Sequence, residues 1–119
     1  RQAHAQYLNQ RLIKHSQIQT PNPPEGYSHI YQMYTIKLEN KQIRDSLKEF
    51  LLKKKIFCKV YFNPIHLTSY YRSKFGLSTG ILPITEKISE QVLTLPLFPN
   101  MSSEERTLLA DSIDEFFEK

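Results

Sequence analysis

The sequence predicts an α+β fold: a small sheet of three to four strands with helices packed mainly on one face. Two observations lead to this prediction. Three stretches rich in β-branched and aromatic residues are separated by stretches in which apolar residues recur at helical spacing. Both kinds of element have an apolar face, and one sheet covered by helices buries those faces in a single core. The 119 residues are enough for one such domain and too few for two.

Two helices are predicted in the N-terminal half. Residues 1–15 form the first, because Ala5, Leu8 and Leu12 share one face, and the proline-rich stretch "TPNPPEGYS" ends it. The second begins after Asn40, a residue type that caps helices well. Its predicted apolar stripe comprises Ile43, Leu47, Phe50 and Leu51, and its predicted solvent side comprises Arg44, Lys48 and Lys53.

Three strands are predicted. Residues 29–38, "HIYQMYTIKL", form the clearest, residues 56–62 the second and residues 92–95 the third, which Pro96 ends. On the first strand, one side carries Ile30, Tyr34, Ile36 and Leu38. On the second, Cys58, Val60 and Phe62 alternate with Phe57, Lys59 and Tyr61.

The remaining elements are helices. Residues 67–75, ending at Gly76, and residues 84–91 are predicted to be short ones. Ser102 and Glu105 fit a capping box at the start of the last helix. Its five apolar residues are Leu108, Leu109, Ile113, Phe116 and Phe117. Burying all five contributes on the order of 10 kcal/mol before chain entropy is subtracted, so this helix is expected to cover the sheet.

Composition excludes several classes of protein. Apolar residues make up 39% of the chain and charged residues 24%, which is typical of a globular protein and not of a disordered or membrane-spanning one. The single cysteine, Cys58, excludes an internal disulfide and a cysteine-based zinc site. Residues 1–12 lack the apolar run of a signal peptide, so we expect a cytoplasmic protein.

Charge is distributed unevenly along the chain. Residues 1–99 contain 14 Lys or Arg and 6 Asp or Glu, a net charge of +8, whereas residues 100–119 contain 2 and 6, a net charge of −4. A basic body can attract phosphate groups, nucleic acid or a nucleotide substrate. A solvated surface explains the same pattern without any ligand.

Few residues are candidates for chemistry. The four histidines lack metal-ligand spacing, and the chain has no glycine-rich phosphate loop. His66 stands out because it follows Pro64 on a loop after a predicted strand, where functional residues are frequent. It is either a site residue or a polar residue in a turn. Tyr70 and Tyr71 are interpreted as packing residues. No self-sufficient catalytic constellation is visible.

Several blocks, taken in order, resemble the C-terminal part of the DegT/DnrJ/StrS-type sugar aminotransferases. They are "SHIYQMYTIKL", "IRDSLKEFLLKKKIFCKVYFNPIHLTSYY" and "LPITEKISEQVLTLPLFPNMSSEE", and the match runs over residues 27–117. These enzymes use pyridoxal phosphate (PLP) to aminate keto sugars attached to nucleotides. The family often has Gly where this chain has Lys55, and a helix that ends there lacks the residue that adopts the left-handed conformation most easily.

The resemblance implies the small domain of a fold-type-I aminotransferase. Residues 1–26 would be a helix and connector from a preceding large domain, and residues 27–119 the C-terminal small domain. The large domain would supply the lysine that binds PLP, so this chain would hold no catalytic or cofactor-binding residue and would be inactive alone. The full enzyme would be a homodimer that uses a nucleotide-linked keto sugar and an amino donor such as glutamate, and would bind neither nucleic acid nor membranes.

The resemblance also assigns a site. His66 falls at the histidine of the family's "P-x-H" motif, which faces the nucleotide-sugar pocket, and Tyr61 and Asn63 flank it as further substrate-binding candidates. Two other hypotheses remain. One is a stand-alone basic α+β binding module, possibly for nucleic acid, although "KVYF" lacks the glycines of the RNA-recognition signature. The other is a degenerate partner subunit that only dimerises.

Overall fold

The computed structural model describes residues 1–118 and shows an α+β fold with a three-stranded sheet. This confirms the predicted fold class. The elements in chain order are α1 (Gln2–Leu12), β1 (Ile18–Gln19), β2 (Tyr34–Leu38), α2 (Lys41–Lys53), a 3-10 turn (Ile65–Leu67), α3 (Ser69–Phe75), α4 (Pro83–Gln91), β3 (Val92–Leu95) and α5 (Ser103–Phe117). Within the described chain, no helix is long and apolar enough to cross a membrane.

The sheet is antiparallel throughout, in the order β1-β2-β3. Ile18 of β1 lies opposite Leu38 of β2, and Tyr34 of β2 lies opposite Leu95 of β3. The central strand buries alternate residues, as a strand with one face on the core does. α1 packs on α5, and its buried face of Ala5, Leu8 and Leu12 joins the same core. The division of the chain at residue 26 stays a prediction.

The prediction of a strand over residues 56–62 is wrong. Only Lys59 forms a bridge, in which it exchanges two backbone hydrogen bonds with Thr94 of β3. The third place in the sheet belongs to β1, which is only two residues long and carries no strand signal. Cys58 is buried as expected, and burial raises the pKa of its thiol to about 12. Phe62, predicted on the same side, is 66% exposed.

Strand β2 is shorter than predicted. It begins at Tyr34 and not at residue 29, and Ile30 is 70% exposed. Strand β3 spans the predicted residues, and the two short helices lie where they were expected. Gly76 adopts the left-handed conformation that ends α3.

The two longest helices have the predicted caps. The side chain of Asn40 accepts a hydrogen bond from the N–H of Ile43, and Ser102 and Glu105 form the capping box. The apolar side of α5 is narrower than predicted. Leu109 and Ile113 are buried, Phe116 and Phe117 are half-buried, and Leu108 is exposed, so the burial estimate for five side chains is too high.

Arg44 was wrongly predicted to face solvent. It is buried, and its Nη1 donates hydrogen bonds to the carbonyl oxygens of Ser89 and Val92, each 3.0 Å away. The guanidinium therefore ties α2 to the junction between α4 and β3. A charged residue is tolerated there because its donors are satisfied by backbone acceptors.

Lys55 forms the turn that ends α2, although it is not a glycine. It lies at φ 62°, in the left-handed region. The N–H of Ile56 donates to the carbonyl of Leu51 and the N–H of Lys55 to that of Leu52, which is the Schellman pattern. The helix end is therefore formed in the usual way, with a side chain in a conformation that costs energy.

Residues 61–90 form a distinct region, which we call the lobe, and the rest of the described chain is called the body. His66 is the only buried residue of the lobe. Ten of the 18 large apolar side chains that the described chain exposes lie in these 30 residues, so the lobe has no apolar core of its own. The ten are Tyr61, Phe62, Ile65, Tyr70, Tyr71, Phe75, Ile81, Leu82, Ile84 and Ile88.

Candidate functional site

His66 is positioned by a tight turn. Pro64 precedes the 3-10 turn, and the N–H of Leu67 donates to its carbonyl. Thr68 closes the turn, since both its backbone N–H and its hydroxyl donate to the carbonyl of Ile65. Proline fixes the entry of the chain and lacks the N–H that a longer strand would need. The histidine ring is thereby turned inward and is 7% exposed.

Glu86, on α4, is the nearest charged partner of His66. The Nε2 atom of His66 lies 3.3 Å from Oε2 of Glu86. The approach is bent, so the contact lacks the geometry of a directed hydrogen bond, and no other group in residues 1–118 forms one with this buried atom. The contact is therefore an electrostatic one.

Backbone donors hold the Glu86 carboxylate in place. The N–H of Gly80 lies 2.9 Å from Oε1 and 3.1 Å from Oε2, and the N–H of Leu82 lies 3.1 Å from Oε2. The Gly80 N–H is the main cause that lowers the pKa of Glu86, and His66 and the Leu82 N–H act in the same direction against desolvation. Glu86 is thus a carboxylate at neutral pH.

A shallow depression of about 470 Å³ opens beside this pair. Its walls are mainly apolar, and its polar side chains come from Asn63, His66, Tyr71 and Thr85. The other lining residues are Phe62, Pro64, Ile65, Leu77 and Leu82. Apolar walls with a few fixed polar groups are typical of a surface that binds a small organic ligand.

The depression unites two of the three predicted site residues. His66 and Asn63 both line it. Tyr61 lies against the ring of Phe62, with centroids 4.9 Å apart, and is 38% exposed outside the lining. Tyr70 and Tyr71 are 62% and 40% exposed, and Tyr71 lines the depression. Their rings pack on each other, with centroids 5.1 Å apart, so their interpretation as packing residues stays a prediction.

Sequence reasoning missed Glu86. It belongs to the "L-P-I-T-E" block, but it does not follow a predicted strand as His66 does. Apart from that block, no chemical motif includes it. A glutamate in the first turns of a helix is usually explained by solvation or by the helix dipole. The one available signal was Gly80 and Pro83 before it, which indicate a tight turn whose N–H groups need an acceptor.

The depression beside His66 does not fit a PLP site. A PLP enzyme needs a lysine amine in the pocket to bind the cofactor. None of the lysines in residues 1–118 is buried, and none lines the depression beside His66. In the same part of the chain, no group of three His, Cys, Asp or Glu residues is arranged to hold a metal ion.

The structure thus shows a small α+β domain with a mainly apolar depression that is lined by one buried histidine. A sequence model of the DegT/DnrJ/EryC1/StrS aminotransferase family matches residues 1–114. The chain therefore belongs to that family.

Two curated relatives illustrate the extent of the match. The chain is 34% identical over 99 residues to the pleiotropic regulatory protein of Geobacillus stearothermophilus, which covers 82% of the chain and 26% of that protein. It is 28% identical over 102 residues to the GDP-perosamine synthase of Escherichia coli O157:H7, which covers 86% of the chain and 27% of the synthase. The chain thus spans about a quarter of the length of these relatives.

Solved structures agree on the fold. DesV from S. venezuelae, in complex with a ketimine intermediate, superposes with a TM-score of 0.89 at 24% identity, over 99% of this chain and 31% of DesV. NtdA from Bacillus subtilis, with bound cofactor PMP, superposes with a TM-score of 0.78 at 22% identity, over 98% of this chain and 27% of NtdA. At these identities the likeness concerns the fold.

Proposed function

We propose that this chain is the C-terminal small domain of a PLP-dependent aminotransferase that aminates a keto sugar attached to a nucleotide. Family membership supports aminotransferase activity in the complete enzyme and favours it over a stand-alone binding module. The name of the GDP-perosamine synthase supports a nucleotide-linked sugar as the substrate class. Residues 27–119 would form the small domain, and residues 1–26 would lead into it from the large one.

One observation carries the proposal: His66 is the only buried residue in a lobe that otherwise exposes apolar side chains. A monomeric protein rarely leaves a patch of this kind uncovered. The remainder of a longer enzyme would cover it, and the depression would then become a closed pocket with His66 and Asn63 in its wall. Apolar walls suit the faces of a base or sugar, and the two polar residues suit its hydroxyl or amide groups.

The remaining components of the reaction would come from outside this chain. PLP would be bound through a lysine of the large domain, because no lysine lines the depression beside His66. The structure of NtdA with bound cofactor PMP supports a pyridoxal-type cofactor. An amino donor such as glutamate, a homodimer that shares the covered lobe, and a cytoplasmic location complete the proposal. The chain alone would be inactive.

The test uses the complete enzyme and a panel of GDP-, UDP- and dTDP-linked keto hexoses with glutamate as donor. One member of the panel is expected to be aminated, and His66→Ala is expected to raise its KM about 10- to 100-fold with a smaller change in kcat, because one buried hydrogen-bonding side chain contributes on the order of 1–3 kcal/mol to ligand binding.

The matched control is His29→Ala, since His29 lies in the body and outside the lining of the depression. It is expected to keep the wild-type KM. No amination of any member of the panel would contradict the proposed substrate class. Unchanged kcat/KM in His66→Ala would contradict the proposed site.

A further inference from the structure

We propose that Glu86 is a positioning residue for His66, which holds the Nε2 edge of the imidazole so that Nδ1 accepts a hydrogen bond from a hydroxyl of the bound sugar. The inference rests on the proposed function, because it assumes that His66 contacts substrate. It adds a second residue to the site and assigns a direction to the hydrogen bond, in which the ligand is the donor and the imidazole ring is the acceptor.

The distribution of donors and acceptors leads to this assignment. Nε2 of His66 is buried and faces a carboxylate oxygen 3.3 Å away. A carboxylate can only accept, so the favourable neutral tautomer has its proton on Nε2. Because Nε2 is out of reach of solvent, any hydrogen bond between the ring and a ligand has to use Nδ1. In that tautomer Nδ1 is an acceptor, and its partner has to be a donor such as a sugar hydroxyl.

Glu86 is suited to the role because it is itself fixed. Its carboxylate accepts hydrogen bonds from two backbone N–H groups of the preceding loop, and its side chain is only 15% exposed. Backbone donors cannot rotate away as a side chain can, so the oxygens stay in place when His66 moves.

A structural alternative explains some of the same contacts. Glu86 accepts hydrogen bonds from N–H groups before and at the start of α4. Support of this loop would by itself explain why a glutamate lies here. The two explanations differ in one respect. Loop support acts whether or not His66 is present, whereas a positioning residue acts through the imidazole and loses its effect when the ring is removed.

A double-mutant cycle in the complete enzyme separates them. Glu86→Gln retains an amide oxygen for the backbone donors and is expected to raise the KM for the sugar nucleotide about tenfold, as loss of a residue that orients a ligand-binding histidine does. In a His66→Ala background the same substitution is expected to change KM by less than about twofold. Equal factors in the two backgrounds would overturn the inference.

The tautomer supplies a readout that loop support does not move. Nitrogen-15 spectra of the histidine-labelled enzyme are expected to show His66 protonated on Nε2 when neutral, and Glu86→Gln is expected to give a mixture of the two tautomers, because an amide can donate as well as accept. A neutral ring with its proton on Nδ1 in the wild-type enzyme would overturn the inference directly.

Two controls keep the outcomes distinct. Glu90→Gln removes the same charge from an exposed site on α4 and is expected to leave KM and the tautomer unchanged. If Glu86→Gln does not fold, Glu86→Asp, which keeps the charge on a shorter side chain, enters the same cycle. A His66→Ala enzyme with normal kcat/KM contradicts the proposed site and this inference together. A defective His66→Ala enzyme with additive effects contradicts this inference alone.

Discussion

The body and the lobe each contain a buried histidine next to a carboxylate, and the two pairs are built differently. In the body, Nε2 of His15 lies 2.7 Å from Oδ1 of Asp114, in a directed hydrogen bond. Arg11 and Lys14 approach the other oxygen of Asp114, at 2.8 and 3.1 Å. In the lobe, the His66–Glu86 contact is 3.3 Å long and bent, and backbone N–H groups replace the cations.

The difference indicates what each pair does. The body pair joins the turn after α1, where His15 lies, to α5. A short hydrogen bond and two ion pairs hold Asp114 in place, so the role of this pair is structural. Burial raises the pKa of Asp114, but the hydrogen bonds from Arg11, His15 and Lys14 outweigh it and lower the pKa to about 2. The lobe pair lies beside an open depression and is not fully formed. Of the two pairs, it is therefore the one that fits a ligand site.

The largest expected effect is on stability and concerns the body. Asp114→Ala leaves buried His15 and partly buried Arg11 without their shared acceptor, and we expect it to lower the free energy of unfolding by about 3 kcal/mol. Urea unfolding, or hydrogen exchange of α1 and α5 in the complete enzyme, measures this. The KM of the folded enzyme is expected to stay unchanged.

Asp111→Ala is the matched control for Asp114→Ala. Asp111 also accepts from Arg11, at 2.6 Å, but its side chain is 60% exposed. An exposed ion pair contributes less than about 1 kcal/mol because water and salt screen it. Equal losses in the two variants would show that burial does not distinguish these carboxylates, and the structural role of the body pair would then have to be abandoned.

The second expected effect is on the pH dependence of stability and again concerns the body pair. The pKa of Asp114 is about 2 in the folded protein and ordinarily 3.8, so its contribution is present above about pH 4 and is lost as the pH falls towards 2. The difference in unfolding free energy between wild type and Asp114→Ala is expected to shrink by about 2 kcal/mol over that interval. A constant difference from pH 5 to pH 2 would contradict the assigned pKa.

Most of the body could be predicted from the sequence because local signals and tertiary packing agree there. Asn40 and Ser102 cap helices where their residue types predict it, and β3 has the predicted bounds. Predictions failed where an interaction between distant segments decides. Arg44 is a charged residue, but it is buried because backbone carbonyl oxygens of a distant segment accept its hydrogen bonds. Strand β1 has only two residues, which is too short for a recognisable strand pattern.

The lobe could be predicted less well because it is not packed against itself. Aromatic side chains such as Tyr70 and Tyr71 lie exposed and pack on each other, and their residue types do not distinguish a packing role from a place in the lining of a depression. His66 was found through its motif and its place after Pro64. Glu86 lies 20 residues further along, and only the folded chain shows that the two side chains meet.

The smallest expected effect concerns the turn that leads from the body towards the lobe. Lys55 holds a left-handed conformation, at a cost of about 1–2 kcal/mol for an ordinary residue, and its side chain is exposed. Glycine removes that cost but gains entropy in the unfolded chain, so Lys55→Gly is expected to raise the free energy of unfolding by about 0.5 kcal/mol.

Lys53→Gly is the control for this turn, because Lys53 is the last residue of α2 and has a helical conformation that glycine weakens. It is expected to lower the free energy of unfolding by up to about 1 kcal/mol. Opposite signs at two lysines only two residues apart would show that backbone conformation, and not charge, decides the effect. A loss of stability in both variants would mean that the left-handed turn at Lys55 is absent in solution.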